Sequence, residues 1–134
     1  MTTVSAEDVN TWMRAQGDDA AWKPGTQVLD QVAPRGKQYQ MVVTQKQAQA
    51  ILEGENLLGD WATPNAVPSQ DYARKELQIL LKFKADVKFV VTVETTQPTA
   101  IMAGETTRGA PQVKFIAGHD NLRVIGAPRP LPEH

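Results

Sequence analysis

Three short stretches hold the side chains best suited to chemistry. Gly59-Asp60-Trp61-Ala62-Thr63 offers an aromatic face at Trp61 and a hydroxyl at Thr63. Tyr72-Ala73-Arg74 offers a guanidinium, a group suited to bidentate contact with phosphate or carboxylate. Gly109-Ala110-Pro111-Gln112 delivers an amide at the start of an apolar run. A Gln oxygen can accept from a hydroxyl or orient a water, but Gln cannot act as a base. Glu105 is the lone acid in the loop leading to that run and is a candidate acid/base group. Tyr39 and Gln40, side by side on an earlier segment, add a second aromatic and a second amide.

Other chemistries are poorly served. The chain has no Cys and two His among 134 residues. A Ser-His-Asp triad would have to be built on His119, and no nucleophile-elbow sequence is present. His119 stands in Gly118-His119-Asp120-Asn121, a turn composition with too few ligands for zinc. No glycine-rich phosphate loop occurs. Fourteen Lys and Arg face fifteen Asp and Glu, giving a net charge of -1. That balance argues against a dedicated nucleic-acid binder, and Lys75, Lys82, Lys84 and Lys88 read as a solvated face. No apolar run approaches the roughly 18 residues of a membrane span. The polar, acidic beginning does not read as a signal peptide, so export is expected to rely on a carrier segment.

The elements that must position these residues can be read from periodicity. Ser5 caps a helix whose Val9, Trp12 and Met13 share one face. Strands are expected at about 26–32 and 37–44, either side of the Pro34-Arg35-Gly36 turn. Gln45 to Glu53 reads as a short helix closed by Gly54. Trp61 to Thr63 reads as a short strand. A helix is expected from Ser69 to Leu81, with Tyr72, Glu76, Ile79 and Leu80 at helical spacing. Strands follow at about 87–96, 99–102, 112–116 and 122–125. Their connections are too short for parallel crossovers, so the sheet is expected to be mainly antiparallel and the class α+β. The chain reads as one domain over 1–134: a helical part at about 1–24, a sheet-rich part at about 25–126 and an extended, poorly ordered tail at 127–134.

In this order, behind a strand opened by Gly25-Thr26, these motifs resemble the ADP-ribosyltransferase-like, NAD-cleaving domains of bacterial polymorphic toxins, in particular the necrotizing-toxin-like branch. The resemblance covers about residues 24 to 126. It implies an antiparallel two-part sheet with a cleft, in which Trp61 and Thr63 wall the nicotinamide pocket. It implies that Arg74 meets the pyrophosphate, that Gln40 takes the polar position of the first strand, and that Gln112 stands beside the ribose, with Glu105 as the next candidate. Tyr39 is an alternative aromatic face. NAD is then the substrate, no metal is needed, and the reaction is glycohydrolysis or ADP-ribosyl transfer. The resemblance further implies delivery into a target cell within a larger secreted effector, action in the cytoplasm, a role in interbacterial competition and a cognate immunity protein as partner.

Two positions differ from that branch. Asp30-Gln31 stands where Asp-Arg is usual, and Gly109 alone stands where a glycine pair is usual. A toxin-tip ribonuclease and a catalytically inactive binding module of the same fold are the alternative readings. Each site residue also has a purely structural explanation. Trp61 suits a core, Gln112 an exposed strand start, and Arg74 an exposed pair with Asp71 on the same helix.

Overall fold

A computed structural model describes residues 2–17, 21–81, 84–116 and 118–134, with the side chains of Thr2, Gly118 and His119 outside the description. The expectations for Lys82 and for the side chain of His119 therefore fall outside the described part, and Gly118–Asn121 forms a single 3-10 turn. Among the described residues, no helix is long and apolar enough to cross a membrane.

Eight strands and three α-helices follow one another as β1 (Thr2–Ser5), α1 (Ala6–Ala15), β2 (Gln27–Ala33), β3 (Gln38–Val43), α2 (Gln45–Leu52), β4 (Trp61–Ala62), α3 (Gln70–Lys75), β5 (Phe89–Thr95), β6 (Thr99–Glu105), β7 (Pro111–Phe115) and β8 (Leu122–Pro130). The class is α+β. A five-stranded sheet runs in the order β1-β2-β6-β7-β4, and a three-stranded sheet in the order β3-β5-β8. Every pairing within them is antiparallel.

Strand alternation divides the core. Tyr39, Met41 and Val43 of β3 and Val91 and Val93 of β5 face Ile101, Val113 and Phe115 of the larger sheet, forming the inter-sheet core. The intervening positions of the smaller sheet, Val42 and Val90, pack outward against Val67, Ala73, Val87 and Leu131. On the far face of the larger sheet, Val28 packs with Trp22 and with Ala6, Val9 and Met13 of α1. β2, β3, β5 and β7 thus carry buried residues on both faces.

Local signals place the helices. Ser5 accepts from the Asp8 amide, and Thr44 with Gln47 forms a reciprocal capping box at α2. Trp12 is a correction: it is 54% exposed. The buried face of α1 runs through Ala6, Val9, Asn10 and Met13, which places Trp12 on its margin. β1 carries no sequence signal and exists only through its pairing with β2.

Two larger differences concern α3 and the tail. The helix expected to reach Leu81 stops at Lys75. Gln78 adopts φ +57°, a left-handed conformation that side chains avoid unless held there. Thr106 Oγ1 donates to the Glu76 carbonyl at 2.6 Å, occupying the acceptor that another helical turn would use. Residues 76–81 consequently form a loop.

The tail is ordered. β8 continues to Pro130 past a register shift opposite Val90 and Thr92. It is an edge strand, where Pro128 and Pro130 are tolerated. Leu131 then buries itself, 5% exposed. The Pro132 and Glu133 carbonyls accept from the amides of Gln70 and Asp71 at 2.8 and 2.9 Å. The tail thereby satisfies donors that the start of a helix leaves unpaired. His134 completes the attachment, its Nδ1 2.6 Å from Asp71 Oδ2.

Leu131→Ala should destabilise the fold by about 2–4 kcal/mol, the cost of a buried Leu truncation, read from denaturant midpoints. A truncation effect near zero would mean that the tail does not pack. The His134 contact should also titrate. The hydrogen bond to the Asp71 carboxylate raises the His134 pKa, and the same bond lowers that of Asp71. The His134 contribution is present below the ordinary His range and lost as pH rises through its raised pKa. The Asp71 contribution is present above the ordinary carboxylate range and lost as pH falls through its lowered pKa. The contact is strongest between those limits. An NMR titration of His134 should show its pKa fall back in Asp71→Asn.

Candidate functional site

The two sheets meet at one backbone bridge. Gln40 N donates to the Thr63 carbonyl at 2.8 Å, and Thr63 N donates to the Gln40 carbonyl at 2.9 Å. Beside this seam lies a cavity of about 540 Å³. Gln40, Met41 and Val42 of β3, the Gly59–Thr63 segment, and Gln112 and Lys114 of β7 supply its sheet walls. Leu77, Gln78, Ile79, Leu80 and Lys84 line it from the loop after α3.

Trp61 is placed by short-range and long-range pairing together. Phe115 N donates to the Asp60 carbonyl at 2.8 Å, and Trp61 lies opposite Lys114 in the β4–β7 register. Its ring packs against Trp22 at 5.4 Å between centroids, tilted by 49°. Lys114 Nζ lies 5.5 Å from the Trp61 ring centroid, within range of a cation–π interaction. Trp22 is fully buried and clamped by Asn10, whose amide donates to the Trp22 carbonyl and accepts from its amide. Gly104 is needed there: a Cβ at that position would stand 2.8 Å from the Trp22 ring.

Gln112 is not the exposed strand-start residue that its sequence position suggests. It is 8% exposed, and its Nε2 donates to the Ala21 carbonyl at 2.9 Å. A carbonyl only accepts, so this bond fixes the amide orientation and leaves Oε1 as its acceptor end. Gln40 Oε1 accepts from Thr92 Oγ1 at 3.2 Å and from Arg129 Nη2 at 3.4 Å. Thr63 is buried, and its Oγ1 accepts from the Asn65 amide at 3.3 Å.

Three expected site residues stand elsewhere. Tyr39 is in the inter-sheet core, 3% exposed, edge-on to Phe115 at 5.4 Å, and burial raises its phenol pKa. The inter-sheet core takes up the Tyr39 ring, and Tyr39 does not line the cavity although its neighbours Gln40, Met41 and Val42 do. Arg74 does not line it either. Its guanidinium donates to the carbonyls of Ile79 at 3.0 Å and Ala85 at 3.2 Å, bracing the loop that forms one wall. The acidic partner on its helix pairs instead with Lys75, Asp71 Oδ2 lying 4.0 Å from Lys75 Nζ. Glu105 ends β6, where its carbonyl accepts from the Lys23 amide, and it does not line the cavity.

The turn before Gln112 has a mechanical task. Gly109 takes φ +86°, which favours glycine. Thr106 accepts from the Ala110 amide and donates to Glu76, Thr107 bonds Gln78, and Arg108 Nη2 lies 3.8 Å from Glu76. This turn therefore clasps the loop that Arg74 braces from within.

Sequence reasoning missed Lys114, Lys84 and Asp60 as cavity residues. Lys114 follows Gln112 by two positions, so strand alternation puts both on one face; that signal was available. Lys84 belongs to the run read as a solvated face. It is half-buried, and its Nζ donates to Gln47 Oε1 at 2.8 Å. Burial pushes its pKa down, while the charge of Asp86 acts in the opposite sense.

Arg74→Ala should act through the loop. Amide exchange at Ile79 and Ala85 should quicken, and stability should fall by about 1–2 kcal/mol for lost charge-assisted bonds. Unchanged exchange there would show that the brace carries no weight.

No protein-family model matches the chain, and no curated protein matches it. Among solved structures it is similar to that of Tne2 in complex with Tni2, a toxin–immunity pair. The identity is 47% and the TM-score 0.80, covering 85% of this chain and 100% of the Tne2 chain. At that identity over so much of the length, the chain belongs to the Tne2 family of toxin effector domains.

Proposed function

We propose that this domain is an NAD-cleaving toxin with an ADP-ribosyltransferase-like fold, acting on the nicotinamide–ribose bond by hydrolysis or by transfer to an acceptor. One observation carries the reading. Gln40, Trp61, Thr63 and Gln112, drawn from distant parts of the chain, converge on one cavity at the seam of two antiparallel sheets. Membership of the Tne2 family supports a toxin role.

In this reading the N-glycosidic bond breaks with its electron pair going to nicotinamide, which leaves neutral. The ribose becomes oxocarbenium-like and is captured by water or an acceptor hydroxyl, which then loses a proton. The rate gain comes from positioning and from stabilising developing positive charge. Trp61 supplies a flat face for the nicotinamide ring. Gln112 Oε1, held by the bond to Ala21, accepts from a ribose hydroxyl or from the attacking water. Among the described residues lining the cavity, Asp60 is the single carboxylate. It replaces Glu105 as the acidic group nearest to this chemistry.

Tne2 was solved with Tni2. By analogy, a cognate immunity protein is proposed for this domain, together with delivery in a larger secreted effector and action in the cytoplasm of a competing cell. Incubation with NAD should release nicotinamide, and Gln112→Ala should lower that release by about 10²-fold, the scale for losing a positioned polar group. The same substitution should cost about 1–2 kcal/mol of stability, because the Ala21 carbonyl loses its partner. Assays therefore belong well below the melting temperature. Wild-type protein that binds NAD without releasing nicotinamide would replace the enzyme with a binding module. RNA degradation without NAD turnover would make it a ribonuclease.

A further inference from the structure

Lys84 sits where an ammonium is costly unless something anionic joins it. It is half-buried in the wall of the cavity. The one hydrogen-bond partner of its ammonium among the described residues is Gln47 Oε1, a neutral oxygen that already accepts from the Thr44 amide at 2.9 Å. Among the described residues no carboxylate lies within 4.0 Å of it. Asp86, the acid whose field reaches it, is already engaged: its Oδ1 accepts from the amides of Gln45 at 2.8 Å and Lys88 at 3.3 Å. An ammonium has three donors, so two remain for a ligand.

The ammonium is also held in place. Gln47 is fixed by the capping box and by its Nε2, which donates to the Leu57 carbonyl at 3.2 Å. Arg74 closes the loop on either side of the Lys84 position through Ile79 and Ala85. A positioned cation whose one partner among the described residues is a neutral oxygen, in a cavity with aromatic and amide walls, matches a ligand carrying both a ring and a phosphate.

We propose that Lys84 is the residue that binds the phosphate-bearing part of the cavity's ligand, the pyrophosphate if that ligand is a dinucleotide. Arg74, whose guanidinium is spent on backbone carbonyls, is the positioning residue that holds the Lys84 loop. This assignment rests on the reading of the cavity as an NAD site, and it differs from the bland alternative that Lys84 merely staples its loop to α2.

Lys84→Gln separates the two, since a Gln amide can still donate to Gln47 while carrying no charge. Calorimetric titration with ADP-ribose and with phosphate-free nicotinamide riboside is the experiment, on wild type, Lys84→Gln and Lys84→Arg. ADP-ribose affinity should fall about tenfold or more in Lys84→Gln, the scale for a charge-assisted contact. It should be largely restored in Lys84→Arg, and nicotinamide riboside affinity should stay within about twofold throughout. Thermal melting would confirm that both variants are folded. Equal weakening of both ligands, unchanged ADP-ribose affinity in Lys84→Gln, or no ADP-ribose binding by wild type would each overturn the proposal. The cleavage reading fails separately: Lys84-dependent ADP-ribose binding without nicotinamide release removes the enzyme and leaves Lys84 in place. Nicotinamide release with an indifferent Lys84 does the reverse.

Discussion

The paired backbone bonds between Gln40 and Thr63 hold together the part of the molecule on which everything else depends. Each sheet is complete within itself, so the relative position of their edges is set by the inter-sheet core and by this bridge. The bridge ties β3 of the smaller sheet to the residue following β4, the edge strand of the larger one. Because β4 is two residues long, it cannot hold its own position. It is fixed by β7 on one side and by Gln40 just beyond its end. The cavity lies where these constraints meet, and Trp61 is carried into it by the shortest strand in the fold.

The second wall is made of loops, and its rigidity has a different source. Neither residues 76–81 and 84–86 nor the 106–110 turn have regular structure to satisfy their backbone. Thr106 and Arg74 take on that task, donating to the carbonyls of Glu76, Ile79 and Ala85. A buried carbonyl without a partner would cost about 1–3 kcal/mol. These side chains therefore act as substitutes for secondary structure. The guanidinium that looked like a ligand for substrate phosphate serves as a ligand for the protein's own backbone. Both tasks use the same planar set of donors, and the residue type alone does not distinguish them.

Trp22 explains a third feature. It packs with α1, β2 and Trp61, and the missing side chain at Gly104 allows the ring to approach β6 closely. Asn10 supplies both hydrogen bonds for its backbone. The aromatic wall of the cavity is thus backed by a second aromatic that has no contact with solvent. Neither Trp22 nor Asn10 stands in a motif, and their importance comes from packing.

Sequence alone determined much of the frame. Alternation of Val and Thr across residues 89–95, the short gaps after it, and the hydroxyls of Ser5, Thr44 and Ser69, each accepting from the amide three residues on, specify an antiparallel α+β chain, because these signals act between neighbours a few residues apart. It also singled out Trp61, Thr63, Gln40 and Gln112, residues that line one cavity in the tertiary structure. What it could not decide was which aromatic the inter-sheet core would take up, as with Tyr39, or what partner a long side chain would find, as with Arg74 and Lys84. Those outcomes depend on groups tens of residues away: Thr106 ending α3, Ala21 turning the Gln112 amide, the tail carbonyls capping Gln70. Local propensity carries no record of such distant partners, and the energy of a buried hydrogen bond or a desolvated charge is set by them.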